Sequence, residues 1–306
     1  MNGTANQTVS VVIPVLNAEA YLDRLLAALF SQKPAAPAEI VLVDSNSQDR
    51  TREIAAKFPA VRVVPAGKFT HGGARNLGAR EAKGDIVVLM TQDALPQDET
   101  WLAKLLAPLA DPKVAATYSR QTPYPDANPM ERYFLFTHFP PGDAVRREQR
   151  EGDLGLGNVF FSNVAAAIRR DLLLKFPFDE KIIMSEDQQL SRDLIKAGYT
   201  VVYQPESVVI HSHNYSLPIC FRRYFDSIYS LTQIFPKHDM GESASMGFRY
   251  LFREVWHMAR HYPAWLPYYL CYTACKSAGT LMGHFAGRMP RAWAKKMSLH
   301  RYYWDA

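Results

Sequence analysis

The chain has 306 residues, 48% hydrophobic and 21% charged, with a net charge of +5. Those totals are ordinary for a globular protein and allow one large domain plus an appendage around a sizeable core. Three cysteines exclude a disulfide framework, and the charge is uneven: from Gly287 on, Arg288, Arg291, Lys295, Lys296 and Arg301 stand against Asp305 only, which points to an anionic partner.

The cysteine usage fits a reducing cytoplasm, with Cys220, Cys271 and Cys275 expected as buried thiols. No basic, then apolar leader opens the sequence, so no signal peptide is expected. The longest apolar stretch, Trp265 to Phe285, is broken by Lys276, Gly279 and His284, so no membrane span is expected.

In chain order, Val9 to Val15 is a β-rich apolar run that reads as a central strand closed by Pro14. Asn17 precedes a helix whose Tyr21, Leu22, Leu25, Leu26, Leu29 and Phe30 recur at helical spacing. Pro34 and Pro37 end it. Glu39 to Asp44 is a second buried strand ending in an acid, and Asn46 lies in the turn after it. Asp49 is placed to cap the helix at Arg50-Thr51. Val61 to Val64 is a third strand. This alternation predicts a parallel sheet with right-handed crossovers, a sheet that binds nucleotides at its carboxyl edge. Neither GxGxxG nor GxxxxGK[ST] occurs, which argues against a dinucleotide dehydrogenase and a P-loop NTPase.

The segment Lys68-Phe69-Thr70-His71-Gly72-Gly73-Ala74-Arg75-Asn76-Leu77-Gly78 reads as a glycine turn opening a helix. Arg75 in the first turn opposes the helix dipole unless an anion such as a phosphate, Asp44 or Asp93 attends it. Val87-Val88-Leu89-Met90-Thr91-Gln92-Asp93 is a buried strand that ends abruptly in an acid. A carboxylate there is costly unless water, a cation or a hydrogen-bond donor accompanies it.

Further on, Gly155 to Arg170 is a glycine-rich turn and an apolar segment, in which Ser162 and Asn163 either line a donor or acceptor pocket or satisfy a neighbouring loop. Ser185 is placed as an N-cap, with Glu186 and Asp187 in the first turn of a helix carrying Leu190, Leu194 and Ile195. Thr200 to Pro205 and Ser207 to Ile210 read as two closing strands. His211 and His213 follow the second, two positions apart. After Pro218, aromatic residues at helical spacing, Phe221, Tyr224, Phe225, Phe248, Phe252 and Trp256 among them, interleave with arginines. That pattern fits an anionic membrane surface, a helical appendage or an oligomer interface such as a homodimer. Nothing in it suggests nucleic acid.

Taken together, Val11 to Asn17, Val43 to Thr51, Gly73 to Gly78 and Ser185-Glu186-Asp187 resemble the inverting family 2 glycosyltransferases. The resemblance implies a GT-A fold, a Rossmann-like, mostly parallel α/β sheet with helices on both faces, over residues 1–217. Residues 218–306 then form a C-terminal helical, aromatic and basic extension. It implies a nucleotide-sugar site at Pro14, Asn17, Asp44, Asn46, Arg75, Gln92 and Asp93, with Asp44 reading the base and Arg75 helping to hold it. Asp187 stands in the place of the catalytic base, with Glu186 orienting it or the acceptor. Asp93 stands in the place of the metal ligand, for Mg2+ or Mn2+. The family's usual metal motif is Asp-x-Asp, and here it is Thr91-Gln92-Asp93-Ala94, so His211 and His213 are expected to supplement it at the metal or the diphosphate. Thr91 to Ala94 and His211 to Leu217 are similar to the rhamnosyltransferase branch. That branch implies dTDP-L-rhamnose as donor and a bacterial polysaccharide or lipid-linked glycan as acceptor. The cysteine usage and the aromatic, basic extension lead us to expect a cytoplasmic site of action, peripheral on the inner face of the plasma membrane. The single acid of the metal motif leaves a second reading, a noncatalytic nucleotide-sugar or glycan-binding subunit of the same fold.

Overall fold

A computed structural model describes residues 7–34, 36–67, 69–149, 154–235 and 240–305. Lys68 lies outside them, and the side chain of Phe248 is likewise not described. The elements in chain order are β1 (Val9–Val15), α1 (Glu19–Phe30), β2 (Glu39–Asp44), α2 (Thr51–Ala55), β3 (Val61–Pro65), α3 (His71–Glu81), β4 (Ile86–Met90), β5 (Leu95–Pro96), α4 (Trp101–Leu106), β6 (Val114–Thr122), α5 (Pro129–His138), β7 (Val145–Arg147), β8 (Ala165–Arg169), α6 (Arg170–Lys175), α7 (Glu186–Lys196), β9 (Thr200–Ile210), α8 (Leu217–Ile234), α9 (Met240–His261), α10 (Leu266–Phe285) and α11 (Arg291–Met297).

The sheet runs β3-β2-β1-β4-β8-β6-β9-β5, with β7 on β9. β1 to β4 are mutually parallel, which matches the alternating sequence rhythm. β8 is antiparallel to both β4 and β6, and β6 and β9 are parallel. Helices cover both faces of the central strands, so those strands read as unbroken apolar runs. Val11, Val12, Val41, Val43, Val87 and Val88 are fully buried accordingly.

α3 lies close on β1 because Gly78 has no side chain. A Cβ there would fall 2.1 Å from Val12 Cγ1 and 3.2 Å from Val43 Cγ2. Gly72 and Gly73 differ from expectation: both are inside α3, with no left-handed backbone. A Cβ on Gly72 would meet Asp179 O at 3.1 Å, so the residue is small for lack of room. The cap of α3 is Thr70, whose hydroxyl accepts from Gly73 N–H. Because the helix starts at His71, Arg75 sits in its second turn.

The two closing strands expected from sequence are one, β9. Its pairing with β6 shifts between Ser119 and Arg120, and the extra residues around Pro205 are absorbed as an irregularity. Ser185 is not an extended N-cap; its φ of 64° is left-handed. Cys220 is buried as expected, but Cys271 is exposed and Cys275 half-buried on α10.

The chain divides into two units. One comprises 1–124, 138–181 and 186–211, the other 125–137, 182–185 and 212–306. The second is built on α8 against α10. Gly279 and Gly283 make that approach possible, since a Cβ on either would lie 2.4 Å from a carbonyl oxygen of α8, Phe221 O or Phe225 O. Phe225, Ile183, Ala286, Ala294 and Trp304 form one core cluster there. The buried Asp226 carboxylate accepts from Leu299 and His300 N–H and so ties down the segment after α11. Among the described residues no helix is long and apolar enough to cross a membrane.

Candidate active site

The loops after β1, β2 and β4 meet at the carboxyl edge of the sheet. Asn17 and Asn46 both have positive φ, 50° and 68°, which asparagine tolerates best among residues with a side chain. Asn17 N–H donates to Ser47 Oγ at 2.9 Å, and Asn17 Oδ1 accepts from Gln48 N–H at 2.9 Å. Gln92 bridges to the first loop at both ends of its amide: Oε1 accepts from Leu16 N–H at 2.8 Å and Nε2 donates to Leu16 O at 3.2 Å. Pro14 lies within β1, opposite Val43. Asn17 and Gln92 thus hold the loops in register, a role that sequence alone did not separate from ligand contact.

Asp44 ends β2 and is buried. It accepts from Ser47 N–H and Oγ–H and from Arg52 Nε at 2.7 Å. Burial works to raise its carboxyl, but the Ser47 hydrogen bonds and the Arg52 guanidinium outweigh it and hold it below the ordinary range. Asp49 caps in an unforeseen direction: besides Thr51 N–H it accepts from Glu19 N–H, at the start of α1.

The anion beside Arg75 is neither Asp44 nor Asp93. It is Glu186, whose Oε1 lies 3.0 Å from Arg75 Nη1, both side chains being 7% exposed. α3 and α7 therefore bring together residues more than a hundred positions apart. Asn163 joins them, donating from Nδ2 to Glu186 Oε1 and from its backbone N–H to Asp187 Oδ2, each at 3.4 Å. Burial pushes both carboxyls up, and the outcome differs by neighbour. Arg75, with His71, overrides burial and holds Glu186 down. Asp187 feels burial and the Glu186 charge together and rises to about 7. One acid is fixed as an anion, and the other is poised to take a proton near neutrality, the arrangement that acid–base chemistry uses.

A third group forms where β4, β6 and β9 end. His211 Nδ1 is 2.9 Å from Gln121 Oε1, and Gln121 Nε2 donates to Ser162 Oγ at 3.0 Å. With the Gln121 carbonyl facing the ring, the ring proton sits on Nδ1, and Nε2 faces Asp93 Oδ1, 3.6 Å away. A lone pair and a carboxylate oxygen directed at one another repel unless a cation or a proton stands between them. The oxygen and imidazole donors fit a divalent cation, and Gln121 supplies the outer hydrogen bond that metal-bound histidines use. β9 ends at Ile210, so both histidines lie beyond the strand, and its alternation, which would put residues two apart on one face, places neither of them. His213 belongs to the second unit, where its ring lies 5.2 Å from that of Tyr215 and its N–H donates to Glu131.

Gln121 escaped the sequence reading because β6 was not recognised as a strand. Its signal is the alternation of Thr117, Ser119 and Gln121, polar at every second position and all buried. Several buried polar atoms at this edge have no hydrogen-bond partner among the described residues: Ser45 Oγ, Arg75 Nε, Thr91 Oγ1, Asn163 Oδ1 and Gln188 Oε1. Leaving such an atom unpaired costs about 1–3 kcal/mol, so their clustering suits a polar ligand. A cavity of about 180 Å3 beside Asp93, lined by Tyr21, Arg24 and Tyr124, is below the roughly 300–1,000 Å3 of whole ligand sites and is at most one part of such a site.

Residues 10–176 match the glycosyl transferase family 2 description. The chain belongs to that family. This glycosyltransferase is 31% identical over 302 residues to the O-antigen chain rhamnosyltransferase RfbN of Salmonella typhimurium, covering 97% of this chain and 96% of the relative. It is 30% identical over 300 residues to WbaN of Salmonella anatum, also an O-antigen chain rhamnosyltransferase, covering 97% and 95%. Among solved structures, the mannosyltransferase PcManGT of Pyrobaculum calidifontis, in complex with GDP-Man and Mn2+, superposes with a TM-score of 0.58 at 20% identity, over 99% of this chain and 86% of that one. TarS 1-349 of S. aureus in complex with UDP gives 0.54 at 15% identity, over 95% and 83%. These likenesses establish the GT-A architecture, and the site's residues carry the chemistry.

Proposed function

We propose that this glycosyltransferase is an inverting rhamnosyltransferase that moves L-rhamnose from dTDP-L-rhamnose to a hydroxyl of a bacterial polysaccharide or lipid-linked glycan precursor. One observation carries the mechanism: Asp187, a carboxyl raised to about 7 by burial and by the Glu186 charge, beside an Arg75–Glu186 pair that stays ionised. The choice of rhamnose is supported by the two Salmonella relatives, which are similar over nearly the whole chain.

In this reading the acceptor oxygen attacks the anomeric carbon of the donor. Its proton passes to an oxygen of Asp187, a new C–O bond forms, and the bond from carbon to the diphosphate oxygen breaks. The electron pair leaves with dTDP. Attack opposite the leaving group inverts the anomeric centre. Asn163 holds Asp187 through its N–H and Glu186 through its side chain, so both carboxylates stay oriented. Asp44 and Arg75 border the nucleotide, and Pro14, Asn17, Asn46 and Gln92 shape its loops. Asp93 and His211 would hold Mg2+ or Mn2+. Such an ion offsets charge on the departing diphosphate. Ser162 acts through Gln121 to orient His211.

The second unit supports attachment to an anionic membrane surface. Phe252, Trp256, Leu281 and Trp293 are exposed, and Arg260 lies 5.5 Å from the Trp256 ring. Cosedimentation with phosphatidylglycerol vesicles, lost in Phe252→Ser/Trp256→Ser, tests this; equal sedimentation with neutral vesicles would oppose it.

The deciding experiment is a donor screen of dTDP-rhamnose, UDP-glucose, UDP-galactose and GDP-mannose, each with and without Mg2+. Turnover of dTDP-rhamnose above the others is expected. Preference for another donor would overturn the rhamnosyl assignment, and no consumption of any donor would leave a binding subunit.

A further inference from the structure

We infer that the second unit contains a separate binding groove for a neutral glycan chain. The groove has a volume of about 790 Å3 and lies between the segment before α5 and the turn from α9 to α10. It is thus in the upper part of the size range of ligand clefts, roughly 300–1,000 Å3, with room for more than one sugar ring. The inference rests on the reading that the acceptor is a glycan, but the groove itself is argued from its own walls.

One wall is aromatic. Tyr262, Trp265 and Tyr268 line it, with Trp265 and Tyr268 40% and 37% exposed. Their rings stand at 87° with centroids 5.8 Å apart, so two ring faces meet at a corner. An aromatic face is electron-rich and attracts the weakly positive C–H groups on one face of a pyranose. The backbone that carries these rings is held by its own hydrogen bonds: Trp265 backbone N–H donates to Tyr262 O, and Tyr262 backbone N–H to Met258 O.

The facing wall is polar and equally built. Asn214 accepts from Asn128 N–H at 2.8 Å and donates to Asp126 O at 3.0 Å. Asn128 Oδ1 accepts from Glu131 N–H and caps α5. Arg132 folds back on Ala127 O and Pro125 O. Planar amides and a guanidinium fixed in this way match the paired hydroxyls of a sugar. The lining includes Asp126 as well as Arg132, so it favours neither an anion nor a cation. A nucleotide or a phospholipid headgroup would meet an acidic side chain; an uncharged saccharide meets none of its own sign. Stacked rings on one side and fixed polar groups on the other are what an uncharged polyhydroxylated chain requires.

The test is retention of the full-length protein on an array of neutral microbial oligosaccharides, with saturation-transfer NMR on whichever glycan is bound. Wild type is expected to bind, and Trp265→Ala/Tyr268→Ala to bind at least tenfold more weakly. Trp265→Phe should restore most of the affinity, a result that a merely structural loss would not give. Thermal melts show whether the double variant is folded, and Asn214→Ala weakens binding from the opposite wall if it is not. Hydrolysis of dTDP-rhamnose should be unchanged in the double variant, so failure of the catalytic reading shows up separately as no turnover in any protein. Binding of no neutral glycan above the double variant, or equal binding by both, would overturn the inference. So would retention on anionic vesicles that the same substitutions abolish while glycan binding persists.

Discussion

Replacing Asp187 with Asn should disable the enzyme and stabilise it at the same time. A carboxyl that ionises near 3.8 in the unfolded chain and at about 7 in the fold favours the folded state only while it is protonated. Its contribution is complete below pH 3.8 and is lost as pH rises through 7. At about 1.4 kcal/mol per tenfold change in ionisation constant, the loss above pH 7 has a ceiling of about 4 kcal/mol. Asp187 is only half-buried, and water screening at its open side lowers the expected figure to about 1–2 kcal/mol. Asn cannot ionise, so Asp187→Asn should melt several degrees above wild type at pH 8 and close to it at pH 4. Removal of a proton acceptor should lower kcat by about 10²–10⁴-fold while dTDP-rhamnose still binds. In the wild type, kcat/KM should fall tenfold per pH unit below about 7. Differential scanning calorimetry at the two pH values and a dTDP-release assay are sufficient. A variant that melts lower than wild type at pH 8 and keeps more than a tenth of its turnover would refute the reasoning.

Arg75→Met removes the cation from Glu186 and leaves a buried carboxylate alone, which should cost about 3–5 kcal/mol in urea unfolding at pH 8. The cost should shrink toward pH 5 as Glu186 takes up a proton; a loss that ignores pH would show that charge is not the cause. Gly78→Ala places a methyl where Val12 Cγ1 now lies and should cost about 1–3 kcal/mol of stability, read as a lower melting temperature. An unchanged melting temperature would mean that α3 does not need its close approach to β1. Gln121→Leu deprives His211 of its orienting partner and should weaken Mn2+ binding about 10–100-fold by calorimetry, with an unchanged circular dichroism spectrum. Equal affinity would remove His211 from the ligand set.

The sheet was legible because its central strands are buried on both faces and therefore appear as apolar runs; β2 ends in Asp44 as expected, whereas β4 stops at Met90 and Asp93 lies in the turn beyond it. β6 was not, since Val114 to Thr122 mixes small, polar and aromatic residues in the pattern of a strand whose partners supply the apolar surface. With β6 hidden, Gln121 and the tautomer of His211 were hidden too. The acids of the site were legible one at a time, but their pairing was not. Arg75 and Glu186 meet only when α3 and α7 pack on the same edge, and nothing local to either segment distinguishes Glu186 from Asp44 or Asp93 as the partner. The same packing separates two adjacent carboxyls, Glu186 held down and Asp187 raised, a difference that the dipeptide alone does not contain.

The proposed metal ligands differ in charge from an Asp-x-Asp pair, and the difference has a thermodynamic consequence. Two carboxylates neutralise a divalent ion, whereas Asp93 with the uncharged imidazole of His211 leaves one positive charge. In the free protein that charge has no counterpart in the ligand set, so the ion should bind weakly on its own. A diphosphate supplies the missing negative charge, so ion and nucleotide should strengthen each other by the same factor, since coupling between two ligands is reciprocal. A coupling of about 1–3 kcal/mol corresponds to about 5–150-fold. Titration of Mn2+ with and without dTDP, and of dTDP with and without Mn2+, measures both sides of that cycle. Equal Mn2+ affinity in the two titrations would show that His211 compensates for the missing acid by itself, and the link between a single carboxylate and a nucleotide-dependent ion would be lost.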